Sequence, residues 1–322
     1  MKKVTLKDIA LKVGVTVGTV SHVMNGIDDI SEETRDKVLK AADELGYISN
    51  SSAVSLRSGK TNTIAIIVPD VSNPHIARQV KLIEQKLKDL KYTAIILNTD
   101  EDDELEKMAI VTSCSRRVDG ILLCPSQHSR ENIKFLKAMD VPYVLIGRYF
   151  AEGDSDYVTA DDCRGGRLAG EYLLNKGYKK PVYIGAYKYI EPSVLRFDGL
   201  CKAFAEKGIE LLDNRFFETS PTGEKTHEVF EKIKKSGIEF DSVVAFSDFI
   251  SFELMSLVNV PVIGFDAINT YLNMPLKHVS VGMTGNGWAD MALHALFGKI
   301  NGSSERFCSL VDVAVYEFGD EK

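Results

Sequence analysis

From residue 63 onward the chain alternates short apolar runs with amphipathic stretches, and it does so twice. "TIAIIVPD" (63–70), "YTAIILNTD" (92–100), "VDGILLCP" (118–125) and "VPYVLIGR" (141–148) are the first set. The segments between them carry apolar residues at helical spacing, for example Ile76, Val80, Ile83, Leu87 and Leu90. After a helical stretch at 165–176 the pattern restarts with "PVYIGAY" (181–187). "EFDSVVAFSD" (239–248) is similar to the 118–125 run, and "VPVIGFDA" (260–267) to "VPYVLIGR", at offsets of about 118 to 123 residues. Uniformly apolar strands alternating with helices belong to parallel sheets covered on both faces. The repetition therefore predicts two doubly wound parallel-sheet α/β subdomains in tandem. Two such units side by side leave a cleft at the C-terminal ends of their strands, where open α/β sheets bind ligands.

The first 62 residues follow a different rule. Leu6, Ile9, Ala10 and Val13 recur at helical spacing, and Gly14 stops that helix. In "VTVGTVSHVMNG" (15–26), Thr16 can cap a second helix with Val20, Val23 and Met24 on its inner face, ended by Asn25-Gly26. Strand is the poorer reading, because the apolar spacing changes to three and four after Val17. Ser31, with Glu32 and Glu33 in its first turn, opens a third helix through Val38, Ala41, Ala42 and Leu45 to Gly46. The stretch "ISNSSAVSLRSGKTN" (48–62) holds five serines and reads as a linker. Its Ala53 and Leu56 suffice for one helical turn, too short to be stable alone. The predicted organisation is an all-α unit at 1–47, a hinge at 48–62 and a core at 63–322. Within the core, one subdomain takes about 63–160 plus a later crossover segment. The other takes about 161–285 plus the C-terminal segment.

The charge is divided in the same way. The net charge is −7 over 322 residues. Residues 1–60 hold nine Lys/Arg and eight Asp/Glu, about +1, and the remainder holds 30 and 38, so −8. An acidic core is repelled by phosphate, so nucleic-acid contact is expected only within the first 60 residues. No apolar run approaches the roughly 20 residues of a membrane span. "MKKVTLKDIALKVG" is broken by charges and makes a poor signal peptide, so a cytoplasmic location and no membrane partner are expected. The five cysteines form no Cys-x-x-Cys and read as free thiols.

Catalytic motifs are not found. "SGKT" (58–61) has Val54 where a phosphate loop needs its first glycine. "GMTGNG" (282–287) has the wrong glycine order for a dinucleotide fingerprint, and "HEVFE" (227–231) lacks the second histidine of a zinc protease. The six histidines have no ligand spacing. The expectation is a non-enzyme without metal or cofactor. Polar residues at strand ends are more informative: Asp70, Asn73, Ser247, Asp248 and Asp266, with Arg196 in "VLRFDG". Carboxylates and amides around one cleft suit a polyhydroxyl ligand. For Asp70 and Asp248, capping the next helix is an equally good reading.

"VTLKDIALKVGVTVGTVSHVMNG", the "ISEETRDKVLKAADELGYISNSSAVSLRSGKTNTIAIIVPDVSNP" stretch, "TDEDDELEKMAIVTSCSRRVDGILLCPS", "GGRLAGEYLLNKGYKK", "RFDG" and "VIGFDA" together resemble the LacI/GalR family of bacterial repressors. The resemblance runs over nearly the whole chain. It implies an all-α helix-turn-helix headpiece on an α/β periplasmic-binding-protein-like core, acting as a homodimer on near-palindromic operator DNA. The implied phosphate contacts are Thr16, Thr19, Ser21 and Asn25, with Val17, Gly18 and His22 at base-reading positions. Gly18 departs from the larger polar residues of several members and is expected to read nothing. His22, where many members have Arg, can pair with a guanine or adenine edge. The resemblance further implies hinge contacts at Asn50 and Ala53, with Leu56 wedged between base pairs in the minor groove. The implied effector residues are Asn73, Asp161, Arg196, Asp248 and Asp266, taking a sugar or sugar phosphate. His75 replaces a common aromatic, and "KHVSVGM" (277–283) departs from the usual run along one pocket wall. The alternatives are control by a phosphorylated carrier protein, a non-sugar ligand such as a purine, or a solute-binding protein.

Overall fold

The structure, a computed structural model, describes residues 4–24, 26–47, 59–272, 274 and 276–319. It comprises two compact units, Met1–Thr61 and Asn62–Lys322.

The smaller unit has three helices: α1 (Leu6–Val13), α2 (Val17–Met24) and α3 (Glu32–Glu44). Asp8 Oδ2 accepts the Thr5 amide at 2.8 Å and fixes the start of α1. Gly14 ends that helix at φ +78°, a left-handed conformation that costs glycine little. Two residues later Thr16 Oγ1 accepts the Thr19 amide at 3.1 Å, which caps α2. Ile9, Val20 and Val38 are fully buried at the centre, one from each helix. Ala10, Ala41 and Ala42 surround them and let the helices approach closely. Val20 and Val23 point inward, so the opposite side of α2 is left to solvent.

The larger unit holds two six-stranded sheets. The strands of the first are β1 (Thr63–Val68), β2 (Thr93–Asn98), β3 (Gly120–Leu123), β4 (Tyr143–Ile146), β5 (Tyr157–Ala160) and β11 (Cys308–Val311), in spatial order β11-β5-β4-β3-β1-β2. The second contains β6 (Pro181–Gly185), β7 (Phe216–Glu218), β8 (Ser242–Ala245), β9 (Val262–Phe265), β10 (His278–Met283) and β12 (Val313–Phe318), ordered β12-β10-β9-β8-β6-β7. Every pairing is parallel except β10 with β12. Central strands such as β1 and β3 are buried almost throughout because helices cover both faces.

The helices of this unit are α4 (Pro74–Asp89), α5 (Asp103–Ser115), α6 (Glu131–Ala138), α7 (Asp162–Asn175), α8 (Glu191–Ala205), α9 (Thr226–Ser236), α10 (Asp248–Met255), the short α11 (Asn269–Leu272) and α12 (Trp288–Ile300). Helices α4 and α12 cover one face of the first sheet, and α5 and α6 the other. Helices α7 and α8 cover one face of the second sheet, and α9 and α10 its opposite face. The chain passes between the sheets after β5, after β10 and between β11 and β12. Trp288, Ala292 and Leu296 thus pack under the first sheet although β10 before them belongs to the second.

Glycines fix how α7 meets α8. A Cβ on Gly166 of α7 would lie 1.8 Å from the Arg196 carbonyl oxygen, and one on Gly199 of α8 would lie 1.9 Å from that of Cys163. Helices α7 and α8 therefore cross backbone to backbone, and this sets where Arg196 begins.

Candidate functional site

On α2, Thr16, Val17 and Gly18 are exposed, and Thr19, Ser21 and His22 are half-buried. Val17 is 45% exposed, although its valine neighbours Val20 and Val23 are buried. A methyl-bearing side chain with short polar groups on one helix face suits contact with thymine methyls and phosphates. Nothing but Thr16 Oγ1, at 3.6 Å, lies near a Cβ placed on Gly18, so this glycine answers to no packing need. His22 is not loose. Its Nδ1 lies 2.8 Å from Asp29 Oδ2, a partner that sequence reasoning missed. The acidic pair Asp28-Asp29 just after the helix was the available signal. Asn25, Asn50, Ala53 and Leu56 lie outside the described residues.

In the larger unit, the loops at the strand ends enclose a cavity of ≈ 650 Å³. Of the five residues expected to bind an effector, Asn73, Arg196 and Asp266 line it. Asn73 caps α4 by accepting the His75 amide at 2.9 Å. Asp266 follows β9 at φ +96° and Ala267 continues at φ +48°, unusual angles for residues with a Cβ. That turn aims the Asp266 carboxylate into the cavity, with His75 Nε2 4.0 Å away.

Arg196 is held on all sides. Its Nε donates to Asp162 Oδ1 at 2.8 Å and its Nη1 to the Phe246 carbonyl. The guanidinium lies over the Phe246 ring at 4.9 Å and the Phe265 ring at 4.3 Å. Burial alone would weaken its proton affinity, but Asp162 and Asp266 outweigh burial and raise it. Asp162 is pushed up by burial and pulled back by Arg196. The outcome is a fixed cationic fork whose orientation precedes any ligand.

Two expected residues are placed elsewhere. Asp248 is completely buried: Oδ2 accepts the Ile268 amide at 2.8 Å and Oδ1 lies 2.7 Å from His278 Nε2. It ties the turn after β9 to β10 rather than facing the cavity. Asp161 caps α7 by accepting the Arg164 amide at 2.9 Å, and it borders a smaller neighbouring cavity of ≈ 50 Å³ rather than the main one. Asp70 and Ser247 do line the main cavity, while Asp70 also accepts the Ser72 amide and Ser247 the Ile250 amide.

Several lining groups were not anticipated. Arg148 at the end of β4 is buried and donates twice to Glu101, at 2.6 and 2.7 Å, and once to the Pro125 carbonyl. Tyr187 and Tyr189 stack with centroids 5.4 Å apart, and His128 lies 4.1 Å from Tyr189. Together they give one wall an aromatic face. The five lining carboxylates are Asp70, Asp100, Glu101, Glu224 and Asp266, facing only two arginines, Arg148 and Arg196. Both arginines are already paired, with Glu101 and Asp162. Cys124 also lines the cavity, but burial pushes its thiol up to about 12, which makes it a poor nucleophile. Among the described residues no group of three or more His, Cys, Asp or Glu is arranged to hold a metal, and no helix is long and apolar enough to cross a membrane.

Comparison with known proteins bears on both regions. Residues 5–50 match the family model of bacterial regulatory proteins of the lacI family. Residues 61–274 match that of periplasmic binding proteins and the sugar binding domain of the LacI family. The HTH-type transcriptional regulator RegA of Clostridium saccharobutylicum is 32% identical over 248 residues, 77% of this chain and 75% of that protein. The HTH-type transcriptional repressor PurR of Mannheimia succiniciproducens is 27% identical over 308 residues, 92% of each chain. A crystal structure of the lac repressor dimer bound to operator and the anti-inducer ONPF superposes with a TM-score of 0.86 at 19% identity, covering 98% of both chains. That last likeness speaks to the fold.

Proposed function

This chain belongs to the LacI family of bacterial regulatory proteins and is a DNA-binding transcriptional repressor rather than an enzyme, and from that premise we propose that it represses a sugar-utilisation operon under the control of a small, uncharged carbohydrate. The homodimer acts in the cytoplasm. Helix α2 enters the major groove with Thr16, Thr19, Ser21 and Asn25 on phosphates and Val17 and His22 on base edges. The hinge contributes Asn50, Ala53 and Leu56 in the minor groove, where an apolar wedge opens a base step.

The observation that carries the carbohydrate reading is the make-up of the ≈ 650 Å³ cavity. Arg196, Asp266 and Asn73 offer a fixed fork, a carboxylate and an amide to paired hydroxyls, and Tyr187 and Tyr189 offer an apolar face to a sugar ring. The excess of lining carboxylates, with both arginines already paired, opposes a phosphorylated sugar. The cavity draws on both sheets, with Asn73 and Arg148 from one and Arg196 and Asp266 from the other. A ligand bridging them favours one arrangement of the subdomains, and only that difference in affinity can shift the equilibrium of the protein. A hinge sequence with enough apolar residues for just one helical turn is a suitable receiver for such a shift.

A thermal-shift and calorimetric screen of the full-length protein against neutral sugars, sugar phosphates and nucleobases tests this. A neutral sugar should stabilise the protein and change its affinity for operator DNA. A response confined to sugar phosphates refutes the electrostatic argument. A response confined to nucleobases turns the reading toward purine control, which the stacked tyrosines would also accommodate. Silence toward all three points to a phosphorylated carrier protein.

A further inference from the structure

We propose that Asp29 is a positioning residue for base recognition, which makes His22 a reader of adenine or cytosine rather than guanine. The inference rests on the reading that α2 lies in the major groove. His22 Nδ1 lies 2.8 Å from Asp29 Oδ2, and both side chains are about half exposed, at 41% and 51%. An ionised carboxylate can only accept, so the proton of this bond is on Nδ1. In the neutral ring the other nitrogen, Nε2, then carries the lone pair and can only accept. Adenine N6 and cytosine N4 present donors in the major groove, whereas guanine presents the acceptors O6 and N7. The Asp29 contact therefore selects against the base that an arginine at this position would favour.

Asp29 is held in place by more than this one bond. The Ile27 amide donates to the His22 carbonyl at 3.0 Å, closing the turn directly after α2. Arg35 of α3 reaches across to the Ile27 carbonyl at 3.1 Å and to Asp28 Oδ1 at 2.7 Å. Ile30, just beyond Asp29, packs against the buried centre of the three helices. The loop is thus anchored on both sides of Asp29. Among the described residues, the charged groups that take part in the hydrogen bonds and ion pairs of this loop are Asp28, Asp29 and Arg35. Asp28 and Arg35 pair with each other, so Asp29 is left to the imidazole. A carboxylate beside the phosphate backbone weakens affinity by repulsion, a cost consistent with a role in specificity.

Operator selection from randomised duplex DNA at about pH 8.5, where imidazole is ordinarily neutral, tests the proposal on the full-length protein. The wild type should prefer one base pair at one position of each half-site by about tenfold, and removing the exocyclic amine of that pair, with purine in place of adenine or 2-pyrimidinone in place of cytosine, should abolish the preference. His22→Ala should lose that preference alone. Asp29→Ala should also lose it, while nonspecific affinity and its salt dependence stay equal to or above wild type. Asp29→Glu should restore part of it, which separates positioning from a general loosening of the loop. Unchanged preference in Asp29→Ala, or a wild-type preference that survives removal of the exocyclic amine but not replacement of the paired guanine by 7-deazaguanine, overturns the proposal while leaving α2 as the reading helix. Unchanged preference in His22→Ala removes His22 from base reading, and failure of the wild type to select any site refutes the DNA-reading premise itself. Either of those results ends the proposal too.

Discussion

Glu191 should make the core lose stability as the pH rises, and the variant Glu191→Gln should remove that loss. Glu191 is the first residue of α8, the helix that carries Arg196. Its amide donates to Gln127 Oε1 at 2.9 Å, and Gln127 Nε2 in turn donates to the Tyr149 carbonyl at 2.7 Å. Those contacts join the loop after β3 to the start of α8, across the two subdomains. The carboxylate itself has no such arrangement: no well-formed hydrogen bond reaches either oxygen, and the Tyr149 amide and hydroxyl offer it only weak donors. Burial, and then repulsion by Asp162, push its pKa from 4.5 to about 8, with Tyr149 and Arg148 opposing only in part.

The sign follows from proton binding. Between about 4.5 and about 8 the folded protein retains a proton on Glu191 that the unfolded chain releases. Stability is therefore fully present below the lower value, falls through the interval and is lost above the upper one. At about 1.36 kcal/mol per pH unit the interval corresponds to a ceiling of about 5 kcal/mol. Partial solvent access to the carboxylate reduces this to about 2–3 kcal/mol. For a unit of this size that is about 5–10 °C in melting temperature. The measurement is thermal unfolding of wild type and Glu191→Gln from pH 5 to pH 9. The gap between the two should be small at pH 5 and widen to its full size by pH 9, with the variant the more stable. Parallel curves across the range, or a variant less stable at pH 9, would refute the argument.

Arg196→Lys retains the charge but loses both the fork that joins Asp162 to the Phe246 carbonyl and the planar stacking between two rings. Effector affinity measured by calorimetry should drop about 10- to 100-fold with the fold intact. His278→Ala strips a completely buried Asp248 of its partner, while burial already disfavours the charged form of that carboxyl. Chemical denaturation should report a loss of about 3–5 kcal/mol. Ligand affinity of the surviving folded protein should stay within about twofold, because Asp248 does not border the cavity. A large, selective loss of ligand affinity in His278→Ala would return Asp248 to the binding site.

The fold was legible in the sequence wherever the signal is local. Helices α1 to α3 follow from apolar spacing and from Gly14 and Ser31 at their ends, and β1, β3 and β8 follow from apolar runs covered on both faces. Five strands escaped notice: β5, β7 and β11 are three or four residues long, β10 and β12 have six residues each, and the pairing of all five is decided from afar. Residue Cys308 of β11 pairs with Tyr157 of β5, about 150 residues earlier. No window of sequence contains both. For the same reason the apolar face of α12 gives no sign that it belongs under the first sheet.

The site divides along a similar line, but chemistry adds a second reason. Asn73 and Asp266 stand at strand ends that must open on a cleft, so topology alone brings them to the cavity. Asp248 stands at such an end too, yet a buried histidine 30 residues away takes its carboxylate inward. A short acidic side chain after a strand serves a cap, a buried partner or a ligand with the same spacing. Only the competing donors distinguish these, and those lie on other elements. Arg148 and Glu101 show the converse, since neither has meaning until β2 and β4 are placed in one sheet. The pairing also changes what the cavity can accept. Two unpaired arginines in a cleft would make an anion site, whereas two arginines already paired with carboxylates leave the lining acidic and suited to an uncharged polyol.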